Sequence, residues 1–108
     1  MKQHTTLDQT AKLIELGFEK PKNEVKAEQA GDCAWYNPAY SIGELIEKIY
    51  QHIIPIEIHY EKGGFDYFCL SLKVYIDGMW CTMLERKNIE PIDFFFEALV
   101  KLKEEGVI

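Results

Sequence analysis

Three cysteines (Cys33, Cys69, Cys81) and three histidines (His4, His52, His59) are the residues whose types could carry nucleophilic or proton-transfer chemistry. A nucleophilic cysteine wants a nearby base and a positive environment. Cys33 instead follows Asp32, and no recognised spacing ties it to a histidine. A small buried apolar side chain is the simpler reading of Cys33. The three thiols match no zinc pattern and cannot all pair with one another, so they read as a reduced set. On a strand, Glu57 and His59 point the same way, and a carboxylate beside an imidazole can orient it for acid–base work or metal binding. A metal needs further ligands, which no motif supplies. "KGGF" at Lys62 to Phe65 is too short for a phosphate loop and reads as a strand connection. The residue types therefore give no catalytic residue, no metal site and no cofactor. The one chemical reading left is a small-ligand or minor enzymatic site near Cys33, Trp35, Tyr36 and His59.

The aromatic residues say more. In "YFCLSLKVYIDGMWCTMLE", Asp77-Gly78 separates two alternating runs. That is a hairpin signal, since a two-residue type I′ turn needs positive φ at both positions. The pattern puts Ile76 opposite Met79, Tyr75 opposite Trp80, Val74 opposite Cys81 and Lys73 opposite Thr82. Leu70, Leu72, Val74, Ile76, Met79, Cys81 and Met83 then share a core face. Cys69, Ser71, Lys73, Tyr75, Trp80, Thr82, Leu84 and Arg86 share the other. A cross-strand Tyr75–Trp80 pair adds roughly 0.2–1 kcal/mol to a hairpin. It also makes an apolar surface with polar tips, the composition of an interface core. Tyr67, Leu84 and the stem of Lys73 would extend it. The competing reading is internal cover by the first helix or by Cys33–Tyr36.

The elements that hold these residues follow from caps and periodicity. "TTLDQTAKLIELGF" reads as a first helix, with a Thr6/Gln9 capping box, a stripe of Leu7, Ala11, Ile14 and Phe18, and Gly17 as its stop. Residues 19–32 carry one large apolar side chain, Val25, and read as a solvated loop. Cys33 to Tyr36 predicts a short strand, and Asn37-Pro38 a turn. Ser41/Glu44 caps a second helix, striped by Ile42, Leu45, Ile46, Ile49 and Ile53. Ile56, Ile58 and Tyr60 alternate as a strand. Pro91 opens a third helix whose apolar arc runs from Phe94 round to Val100. That arc is wider than one sheet face needs, so Phe94 is expected either under another helix or at a subunit contact.

At "YNPAYSIGELIEKI" and "FFFEALVKLKEEGVI" the chain resembles small uncharacterised proteins of prophages and mobile elements of gut bacteria. The resemblance covers the second and third helices and implies no activity, cofactor or site residue.

The bulk composition sets the frame. A chain of 108 residues, 47% hydrophobic and 28% charged, fits one domain over residues 1–108. The expected fold is α+β, a single antiparallel sheet of three or four strands packed against three helices. The net charge of −6, with Arg86 the single arginine, argues against a nucleic-acid partner. No apolar run reaches membrane-spanning length, and the polar start lacks the pattern of a signal peptide. The expectation is a non-catalytic cytoplasmic module that binds a protein partner or a second copy of itself, through Tyr75, Trp80, Tyr67, Leu84 and Phe94.

Overall fold

A computed structural model describes residues 3–26, 36–52, 55–63 and 67–108. The elements run α1 (Leu7–Glu15), β1 (Asn23–Lys26), β2 (Tyr36–Ala39), α2 (Ile42–Tyr50), β3 (Ile56–Lys62), β4 (Phe68–Ile76), β5 (Met79–Lys87) and α3 (Pro91–Glu104). This is the α+β architecture that the pattern predicts. An antiparallel sheet of order β3-β4-β5 packs against the three helices, and β1-β2 form a separate antiparallel ribbon.

Local chemistry sets the helix ends. Thr6 Oγ1 accepts from Gln9 N at 3.1 Å, and Gln9 Oε1 accepts from Thr6 N at 2.9 Å. Ser41 and Glu44 form the same reciprocal box at 3.2 and 3.3 Å. Each box satisfies two backbone donors that a helix start leaves orphaned. Gly17 (φ +100°) closes α1, with Phe18 N donating to Leu13 O. Gly106 (φ +73°) closes α3 the same way, through Val107 N and Leu102 O.

The buried face of α1 differs from the predicted stripe. Leu7 is 59% exposed, while Thr10 and Leu13 are buried. Thr10 tolerates burial because its hydroxyl is fully engaged, at 2.8 Å from Thr6 O and 2.7 Å from Thr5 Oγ1. Thr5 in turn exchanges bonds with the Tyr40 backbone, which ties the start of α1 to the β2–α2 junction.

The expected loop at 19–32 contains β1, so Asn23–Lys26 is a strand; residues 27–32 lie outside the described part. Of the expected Cys33–Tyr36 strand, residues 33–35 lie outside the described part; β2 runs from Tyr36 to Ala39, over the predicted Asn37-Pro38 turn, and Pro38 stands opposite Glu24. The residue before a proline favours extended backbone, and a two-stranded ribbon is all edge, where a missing N–H is tolerated.

The β4–β5 register matches the pattern from Ile76↔Met79 to Lys73↔Thr82. A bulge then intervenes, and Leu72 faces Leu84 instead of Met83. One extra residue turns the rest of β5 over. Leu84 therefore points into the core and is 8% exposed.

The helices form one layer on one face of the sheet. Gln9 Nε2 donates to Asp93 Oδ1 at 2.8 Å, joining the first turns of α1 and α3. Residues at or just past the C-terminal ends of all three helices line a common cleft, so these ends lie together. α3 packs against α1, α2 and β5. Phe94 is fully buried there, so the chain itself covers that end of the apolar arc, while Phe96 and Val100 stay half buried.

Candidate functional site

The feature that the fold leaves unfinished is the tip of the β4–β5 hairpin. Asp77 (φ 52°) and Gly78 (φ 80°) supply the two positive φ angles of the turn. Each strand has nine residues and spans about 30 Å, whereas the 14 residues of α3 span about 21 Å. The strands outlast the helix that covers them. Val74 is fully buried, yet Cys81 directly opposite it is exposed, and this pair marks where the cover stops. Beyond it, Met79 is 66% exposed and Ile76 40%, although both lie on the face that the sequence assigns to the core. On the reverse face Tyr75 and Trp80 meet edge to face, with centroids 5.3 Å apart and planes at 64°. They are 42% and 48% exposed. The tip is thus apolar on both sides.

The other residues assigned to this contact lie elsewhere. Leu84 and Phe94 are buried in the core, through the bulge and the helical cover respectively. Tyr67 precedes β4, about 26 Å along the strand from Tyr75. Its ring lies under the Lys87 ammonium at 5.6 Å and over Gly63, where an added Cβ would stand 2.9 Å from it.

Cys33 and Trp35 lie outside the described residues. His59 Nδ1 is 3.9 Å from Glu57 Oε1, both half exposed. Cys69 is buried, not exposed, because it sits on the central strand between taller neighbours; its thiol donates to Glu85 Oε1 at 3.5 Å. Cys81, expected in the core, is exposed on the overhang. Among the described residues no three His, Cys, Asp or Glu side chains are placed to hold a metal ion. No described helix is long and apolar enough to cross a membrane.

A cleft of about 220 Å³ at the helix C-termini is lined by Phe18, Glu19, Lys48, His52 and Lys103. Lys48 Nζ lies 5.3 Å from the Tyr40 ring centre and Lys103 Nζ 5.7 Å from that of Phe18. Positive charge there complements converging negative helix ends, which accounts for both lysines without a ligand.

The sequence reading missed Ile76 and Met79 as surface, along with a groove between β5 and α3. The groove holds about 150 Å³ and is lined by Leu84, Phe96 and Val100, with Arg86, Glu97, Lys101 and Glu104 around it. Comparing strand and helix lengths would have signalled the overhang; the groove had no local signal. The chain matches no known family model, no curated protein and no solved structure.

Proposed function

We propose that the chain is a non-catalytic cytoplasmic protein-interaction module whose contact surface is the overhanging hairpin tip. The observation that carries this reading is the exposure of four large apolar side chains, Tyr75, Ile76, Met79 and Trp80, on both faces of one protruding turn. Single exposed apolar residues are ordinary, but a contiguous group marks a contact. A lipid surface is a poor fit, because Asp77 at the apex would enter the bilayer first and the chain carries a net charge of −6. A protein surface can leave Asp77 at a polar rim.

A photo-crosslinking residue at Ile76, introduced in expressing cells, tests this. The expected result is one discrete protein adduct, abolished by Met79→Asp in a chain whose thermal midpoint is unchanged. No adduct, or an adduct indifferent to Met79→Asp, would remove the tip as a contact surface.

A further inference from the structure

Resting on that reading, we infer that the occupant of the tip is a second copy of this chain, with the tip of each copy seated in the β5–α3 groove of the other. The chain carries both halves of such a contact on one face. Met79, Cys81, Leu84 and Arg86 all lie on the side of β5 that faces the helices. The knob at Met79 and the groove floor at Leu84 are therefore about 13 Å apart along one strand, and Met83, half buried between them, makes the strip continuous. A protruding knob and a recess on the same face satisfy the condition for a two-fold contact, in which one patch meets itself reversed and the assembly closes.

Size and charge agree. A groove of about 150 Å³ is of the size that holds a benzene molecule, so it accepts one side chain such as Met79. Ile76 and Met79, the two tip residues on the groove's own face, expose on the order of 200 Å² between them. A specific interface buries roughly 800 Å² on each partner, a little over half of it apolar. The tip thus supplies about half of the apolar share of one such interface, and the strip from Met83 to the groove supplies the remainder. Its single charge is Asp77, and the groove rim mixes Arg86 and Lys101 with Glu97 and Glu104, so Asp77 has a cation to meet on a rim of balanced charge. Arg86 pairs with Glu97 at 3.3 Å and Lys101 with Glu105 at 3.1 Å.

Reciprocal seating makes a prediction that other pairings do not. Light scattering behind size exclusion, over a dilution series, should show a dimer. Met79→Asp (bad tip, good groove) and Val100→Glu (good tip, bad groove) should each weaken it at least about tenfold. Mixed in equal amounts, the two variants should associate again, because one intact tip meets one intact groove. If Val100→Glu unfolds the chain, Asp77→Lys and Lys101→Glu replace the pair: each alone weakens the dimer, and both in one chain restore it. Two outcomes overturn the inference: a monomer at every concentration, or a dimer that tip variants break and groove variants leave intact. In the first case, a crosslinked adduct heavier or lighter than two chains would keep the contact surface and reject only the second copy.

Discussion

Among single residues, Tyr40 is the one whose surroundings have the largest chemical consequence. It is fully buried, and its hydroxyl donates to the Glu19 carbonyl. Burial, then the charges of Glu44 and Glu19, push its pKa up to about 12. A phenol with a raised pKa keeps its proton in the folded chain at a pH where the unfolded chain has lost it. Its contribution to stability is therefore complete below about pH 10 and is lost as pH rises to about 12, amounting to about 1–2 kcal/mol once solvent screening at the partly buried hydroxyl is allowed for. Urea unfolding on either side of that window should show the loss, and near-ultraviolet absorbance should show one of the six tyrosines ionising late. Tyr40→Phe should cost about 1 kcal/mol at neutral pH and remove most of the alkaline decline. A decline of equal size in Tyr40→Phe would place its cause in another residue. Nothing in the sequence singled out Tyr40, since its partner Glu19 is 21 positions away. The capping pairs Thr6/Gln9 and Ser41/Glu44 were legible because both partners fall within one turn.

At the scale of elements, β5 shows where reading a pattern stops. The Asp77-Gly78 turn and the four pairs beside it follow from local residue types, and the structure has them as read. The bulge at Met83 on β5, opposite Leu72 and Lys73, does not, because no glycine or other marker accompanies it. Strict alternation carried past it exchanges the faces of Leu84 and its neighbours. The two registers differ in a measurable way. A buried Leu84 predicts that Leu84→Ala costs about 2–4 kcal/mol in denaturant unfolding, by lost burial and a residual cavity. An outward Leu84 would cost under about 0.5 kcal/mol. A value at the low end would restore the unbulged register and return Leu84 to the surface. The β1–β2 ribbon was hidden for another reason. Its strands have four residues each, too short for periodicity to speak, and one contains a proline. The order of the remaining elements, three helices around a strand meander, was readable because each repeats its period several times.

Over the whole molecule, shape and net charge bear on the same question of contact. The chain measures 56 × 37 × 18 Å with a radius of gyration of 15.6 Å, whereas a compact domain of this length has about 13 Å. Two such copies meeting tip to groove must also bring together two net charges of −6. At low salt, with a screening length of about 30 Å, that repulsion acts across the whole molecule; at 0.15 M the length falls to about 8 Å. Only short-range contacts of Asp77 with the mixed charges of the groove rim then survive, beside apolar burial that salt does not weaken. Self-association is therefore expected to tighten as salt rises from about 0.01 to 0.15 M, and again as pH falls toward the isoelectric point near 5.0. Sedimentation across that salt range measures it directly. Association that weakens steadily with salt would mean that opposite charges, not the apolar tip, hold the copies together, and Asp77 with Arg86 would become the centre of the contact.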